Sequence, residues 1–342
     1  CFTPYSQHIT MTRNPVGMII PWMSGKFGMM CHFLCDISPA EDHESSVEAW
    51  NRQVESINTD HLADQVASTG ASWLIFTIGQ NSGYFCSPNA LYDKLVRREH
   101  SRLTRRDLVA DVACSLAKHD VRTIAYLPSH APALDRVAVE QLTCTPDWDA
   151  SMWQLLPGKY LRHETVDERL SAFQRKWESI AAEWSQRWGH AVSGWWIDGC
   201  YYGDKMYHHV DEPNLESFVA ALKSGNPEAV VAFNPGVKIA CFGKAEDYTA
   251  GETMHDLPVA QWEGGYTPLK NPTGNSQLHI LTHLGRYWRD GEPRFNKQLA
   301  AGYTEYITSL GGAITWDVPI DAEGVISQSS IQQLQTINLN PS

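Results

Sequence analysis

The sequence predicts an α/β protein built as a single (β/α)8 barrel of the TIM type, and three observations carry that reading. Short apolar runs alternate with segments of helical period along most of the chain, and each run stops at Gly, Pro or a polar residue. No Gly-x-Gly-x-x-Gly and no phosphate loop is present, which counts against the alternative of an open doubly wound sheet. A barrel of ~250 residues with loop insertions also fits a chain of 342 residues as one domain.

In chain order, residues 1–20 are a lead-in of turn residues without sustained period, the barrel is expected over 21–330, and 331–342 form a C-terminal tail. Lys26 to Leu34 is the first buried strand, with His32, Cys35 and Asp36 near its C-terminal end. Ser45 to Ser68 places Val47, Trp50, Val54, Ile57, Leu62 and Val66 on one helical face, and Gly70 ends that helix. Ser72 to Ile78 is a second strand, breaking into Gly79-Gln80-Asn81-Ser82-Gly83. The helix Arg106 to His119 opens with Asp107 and Asp111 near its positive end, and Val121 to Leu127 is a third strand stopped by Pro128.

Ala131 to His163, rich in Pro, Trp and Asp, reads as an insertion over one end of the barrel, and a helix over Val166 to Trp188 leads into the central strand. That strand, Val192 to Ile197, is β-branched and aromatic and delivers Asp198 before Gly199 turns the chain away. A carboxylate at the C-terminal end of a barrel strand reads as catalytic, although an Asp-Gly pair also serves as plain turn chemistry. A helix over Pro213 to Ser224 and strands at Val230 to Phe233, Gln261 to Gly264 and His279 to Leu284 follow. The helix Asn296 to Leu310 then ends at Gly311-Gly312 before a last strand, Ala313 to Val318.

Composition narrows the function. The net charge is -12 with Lys and Arg scattered, so neither a nucleic-acid groove nor an anionic membrane surface is expected. No apolar run approaches the ~20 residues of a membrane span, and no signal-peptide pattern opens the chain. Eight cysteines show no Cys-x-x-Cys pair and no regular spacing, so a zinc knuckle or a disulfide framework is not indicated. His208-His209 with Asp204 and Asp211 fits no zinc spacing and reads as an exposed polar loop, so no metal and no organic cofactor is expected. The 13 tryptophans suit a core and also sugar stacking, with Trp196 and Trp262 flanking the acids as a candidate platform. Asp198 needs a second carboxylate for glycoside hydrolysis, and Glu252 and Glu263 are the candidates.

At this point the chain resembles glycoside hydrolase family 29, the retaining α-L-fucosidases. Trp195-Trp196-Ile197-Asp198-Gly199 is similar to the family's nucleophile strand. Trp22 to His32 resembles the first strand, Ala71 to Phe85 the second strand and its sugar-binding loop, and Arg105 to Val109 with the strand to Tyr126 the next unit. Leu310 to Gly324 resembles the closing strand and its Pro-x-Asp-x-x-Gly turn, so the likeness spans roughly 20–330.

The resemblance implies Asp198 as nucleophile and Glu252 as acid/base, with Glu263 as the alternative acid. His32, Gln80, Asn81, Tyr126, Trp196, Asn234 and Trp262 become sugar-binding candidates. Three departures bear on the sugar. Gln80-Asn81-Ser82-Gly83-Tyr84 stands where the family usually shows His-His-Asp-Gly-Phe, Asn234 stands where some members place arginine, and Phe33 replaces a tryptophan.

The implied activity is exo-acting, retaining release of a terminal α-L-fucose from an oligosaccharide or glycoconjugate. A fucose-like sugar such as α-L-galactose and a catalytically lapsed carbohydrate-binding barrel are the alternatives. The chain stops soon after the barrel, so the β-sandwich that many members append is not expected. Cys1 and the frequent export of fucosidases favour a secreted, periplasmic or lipid-anchored protein; the oligomeric state stays open.

Overall fold

The computed structural model describes residues 19–36, 44–144, 169–200, 206–262, 266–269 and 276–338. Seven parallel strands form one sheet: β1 (Phe27–Cys31), β2 (Trp73–Thr77), β3 (Arg122–Pro128), β4 (Val192–Asp198), β5 (Val230–Phe233), β8 (His279–His283) and β9 (Ala313–Val318). Their order is β5-β4-β3-β2-β1-β9-β8. No step in that order reverses direction, so there is no switch point of the doubly wound kind, and the sheet curls as an α/β barrel does.

The two ends of the curled sheet are joined by segment 247–253. The Asp247 N–H donates to the Val231 carbonyl of β5 at 2.9 Å. On the other side the Thr249 N–H donates to the Gln277 carbonyl, the Leu281 N–H to the Gly251 carbonyl and the Thr253 N–H to the Leu281 carbonyl. Glycine is required where this segment meets β8. Gly251 has φ +67° and a Cβ there would lie 1.8 Å from the His279 carbonyl oxygen.

Nearly every strand residue is buried, and the side it faces alternates with a period of two. Trp195 faces the layer between sheet and helices, together with Leu74, Phe76, Trp184 and Trp188. Trp196 faces the interior of the curl with Met30, Trp73, Ile75, Ile124, Tyr126, Tyr248 and Leu281. Room for Trp73 comes from Gly28, where a Cβ would lie 2.2 Å from the indole ring. The indole N–H of Trp73 donates to Thr315 Oγ1 at 2.8 Å.

Several expected elements change. The helix expected over 45–68 is two, Glu44–Ser56 and Thr59–Ser68. Asn58 starts the second by accepting the His61 N–H. Two short helices stand where none was expected: Ala90–Val96, capped by Asn89, and, within the expected insertion, Arg136–Leu142, capped by Asp135. Asp107 caps the helix Leu108–Ala117, and Asn214 with Ser217 forms a capping box on Leu215–Leu222.

Helices Ser171–Trp188 and Lys297–Ser309 cover the outer face. The strand expected at 261–264 is not a member of the main sheet. Ala260–Trp262 (β6) pairs antiparallel with Tyr266–Pro268 (β7) as a separate hairpin, and the irregular 247–253 takes the place next to β5. Residues read as a tail belong in part to the helix Gln328–Asn338, which buries Ile331 and Leu334.

Candidate active site

Because the strands are parallel, the residues at their C-terminal ends gather on one rim. Asp198 ends β4, Tyr126 lies near the end of β3, His32 follows β1, and Gln80 and Asn234 follow β2 and β5. Asp198 receives three donors. The Tyr126 hydroxyl donates to Oδ2, the Gly199 N–H to Oδ1 at 2.8 Å and Asn234 Nδ2 to Oδ1 at 2.9 Å. Tyr126 in turn accepts from Gln80 Nε2 at 2.7 Å. Burial and the neighbouring Asp198 charge raise the pKa of that phenol, so it stays a donor.

Asn234 organises the pair. Its side chain is wholly buried, and the same Nδ2 that donates to Asp198 donates to Glu252 Oε2 at 2.5 Å. The Gly236 N–H donates to Asn234 Oδ1 at 3.1 Å, which fixes the amide with its NH2 toward the acids. The two carboxylate oxygens are therefore no farther apart than those two hydrogen bonds laid end to end.

Glu252 is brought there by the bridging segment, pairing with Leu281 of β8. Its pKa rises from an ordinary 4.5 to about 7, first because it is buried and second because of the Asp198 charge, with Asn234 and His32 pulling the other way. Nearby Glu246 is pushed to about 7 by burial as well, but its oxygens accept the Phe233 and Gly243 backbone N–H groups at 3.0 Å, which makes it structural.

His32 is fixed through Nδ1 to Asp317 Oδ2 at 2.6 Å, and the other Asp317 oxygen accepts the Arg289 N–H at 2.8 Å. The His32 ring meets Tyr126 edge-on, with centroids 5.7 Å apart.

Of the expected site residues, Asp198, Glu252, His32, Gln80, Tyr126 and Asn234 come together through these contacts. Asn81 sits beside Gln80, half-buried, with an Oδ1 that has no partner among the described residues. Trp196 is displaced from its expected role. It lies under the rim, buried and stacked on Tyr126 at 5.5 Å, with its N–H donated to the Ala250 carbonyl, so no face is open for stacking on a ligand. The side chain of Trp262 and all of Glu263 lie outside the described residues.

Sequence reading passed over His130 and His255. His130 is buried two residues beyond β3 with Nδ1 at 2.8 Å from the Ala131 carbonyl, and burial lowers its pKa against the opposing pull of Asp198. Its signal was position alone, just past a strand end.

No protein-family model matches the chain, and no curated protein sequence matches it. Solved structures match most of its length. The endo-fucoidan hydrolase MfFcnA4 from glycoside hydrolase family 107 gives a TM-score of 0.66 at 15% identity, covering 95% of this chain and 54% of that one. The endo-fucoidan hydrolase P5AFcnA of the same family gives 0.62 at 16% identity, covering 93% and 91%. The α-L-fucosidase isoenzyme 1 from Paenibacillus thiaminolyticus gives 0.58 at 16% identity, covering 92% and 73%. The chain spans about half the length of MfFcnA4. At these identities the likeness establishes the fold that the chain shares with fucosidases and fucoidan hydrolases.

Proposed function

We propose that the protein is a fucose-active glycoside hydrolase working with retention, on a barrel in which 247–253 serves as the eighth strand and 21–330 as the catalytic unit. The observation that carries this reading is the shared amide. Asn234 holds Asp198 and Glu252 closer than the ~6.5 Å at which an inverting pair begins to admit water between its carboxyls, which favours the retaining arrangement. The two acids also differ as such a pair must. Glu252 is raised to about 7 and can carry a proton, while Asp198 sits among three donors that suit an ionised acceptor.

In the first step an Asp198 oxygen bonds to the anomeric carbon as the bond to the leaving oxygen breaks, and that oxygen takes the Glu252 proton. In the second, the Glu252 carboxylate takes a proton from water, whose oxygen bonds to the anomeric carbon and releases Asp198. Two displacements return the original configuration. His32 and the Gln80-Asn81 loop border the space for the sugar, and Tyr126 and Asn234 position the acids.

Turnover of aryl glycosides, led by the α-L-fucoside and including the α-L-galactoside, tests the reading. Asp198→Ala is expected to lose ~10^4-fold or more in kcat, and azide is expected to restore turnover with inverted product. Binding of a sugar equally by wild type, Asp198→Ala and Glu252→Ala, with no glycoside cleaved, would falsify it in favour of a lapsed binding barrel. Endo action is the second reading, because the two fucoidan hydrolases superpose with TM-scores of 0.66 and 0.62 against 0.58 for the fucosidase. Fragments from fucoidan without free fucose would identify endo action, and free fucose from chain ends would identify exo action.

A further inference from the structure

A second cluster of rings lies on the same rim, beyond the residues that hold the acids. His283 ends β8 and is buried, and around it stand Trp288 at 5.1 Å, Tyr287 at 5.7 Å and His255 at 5.8 Å between centroids. Trp288 also meets His32, 6.0 Å away, so a band of rings runs from Tyr126 through His32 and Trp288 to His283. It ends at solvent, where His255 is exposed and Tyr287 is 47% exposed. His255 lies three residues after Glu252, so the open end of the band returns to the segment that bears the proton donor.

The rings are held rather than merely exposed. The Arg294 guanidinium donates to the carbonyls of His255 at 2.8 Å, His283 at 3.0 Å and Met254 at 3.3 Å, stapling the loop after Glu252 to the end of β8. Tyr287 and Asp290 exchange backbone hydrogen bonds at 3.2 Å, closing a tight turn that presents Tyr287 and Trp288. At the root of the shelf His283 Nδ1 lies 2.9 Å from the Gly285 carbonyl and so carries the proton, while the buried Nε2 has no partner among the described residues. Fixed aromatic faces at the open end of the band suit the apolar face of a pyranose ring.

We infer that His255, Tyr287 and Trp288 form a platform for a sugar on the leaving-group side of Glu252, so that the preferred leaving group is itself a pyranose. This inference rests on the proposed hydrolase reading, since it takes Glu252 to be the group that protonates the departing oxygen.

The test compares kcat/KM for α-L-fucosyl fluoride, whose leaving group is too small to touch the platform, with that for an α-L-fucosyl disaccharide. Tyr287→Ala is expected to lower the disaccharide value roughly five- to tenfold and to change the fluoride value by less than roughly twofold, with Tyr287→Phe restoring the former. Equal losses on both substrates, no loss on either, or a wild type that cleaves only the fluoride would overturn the platform while leaving the hydrolase reading standing. A wild type inert on both substrates and on fucoidan overturns the hydrolase reading and the platform with it, and one that cleaves fucoidan alone overturns the platform only. Tyr287 is an exposed loop residue, so the variant keeps the core that the comparison needs.

Discussion

Asp198 and Glu252 meet at one amide but arrive on different kinds of backbone. Asp198 ends a strand that is regular from Gly194 onward, paired with β3 over Ile124 to Pro128 and with β5 over Val230 to Phe233. Glu252 sits on a segment with backbone bonds to β8 but only one, from the Asp247 N–H, to β5, and side chains supplement both. Asp247 Oδ2 accepts both the Val231 N–H at 2.8 Å and Lys223 Nζ at 2.7 Å, and Thr249 Oγ1 accepts the His279 N–H at 2.8 Å while donating to the His279 carbonyl at 2.7 Å. The proposed nucleophile is thus fixed by a ladder of backbone bonds. A segment patched by side chains is easier to alter by substitution, and its register depends on few groups.

That difference predicts where the molecule breaks. After Asp198→Ala, the largest effect is expected from Glu252→Gln, which keeps the shape and removes the proton. Turnover of substrates with poor leaving groups should fall ~10^2 to 10^4-fold. Wild-type activity should also decline as pH rises through about 7, where Glu252 ionises, and the variant should lack that limb.

Stability gives the same variant an independent readout. A carboxyl whose folded pKa stands above its unfolded value favours the fold below about 4.5 and loses that contribution as pH rises to about 7. Glu252→Gln should therefore gain on wild type across that window, by up to about 3 kcal/mol at pH 8 in denaturant melts, and a constant difference at all pH values would refute it.

Next in size is Asp247→Ala, which removes the Lys223 ion pair and the partner of the Val231 N–H. A loss of about 2 to 4 kcal/mol is expected from urea unfolding, and a change within about 0.5 kcal/mol would show that the segment does not depend on its side-chain patches. The smallest effect is expected on the regular side. Tyr126→Phe deletes one of three donors to Asp198 and should cost roughly tenfold in kcat/KM, with the other two donors keeping the carboxylate in place; a loss as large as that of Asp198→Ala would give Tyr126 a different role.

The same contrast explains what was legible in the sequence. Strands such as Trp73–Thr77 and Val192–Asp198 are apolar on both faces, as parallel strands between helices and an interior must be, and they read directly from composition. Asp198 was legible because it ends such a run. Residues 247–253 are too polar to read as a strand, because Asp247 and Thr249 add side-chain hydrogen bonds to a backbone ladder that runs to β8 and is thin on the β5 side. Gln261 to Gly264, carrying Trp262, reads as the strand instead, although Ala260–Trp262 pairs only locally.

Asn234 illustrates a different gap. Position and resemblance placed it near the sugar, but only the burial of its amide between two carboxylates shows that it serves the acids. Trp196 was misjudged by parity, since the residue beside an outward Trp195 must face the interior. The break at Asn58 was written in its Asn-Thr-Asp start, masked by an apolar stripe that runs through both helices.

The shared amide has one more consequence. In the proposed cycle the pair holds one negative charge at each resting point, on Asp198 before attack and on Glu252 once Asp198 is esterified. Asn234 offers one N–H to each of them. The environment around the pair is thus matched to a constant total that changes address, and the transfer asks nothing of the surrounding dipoles but to stay where the fold has put them.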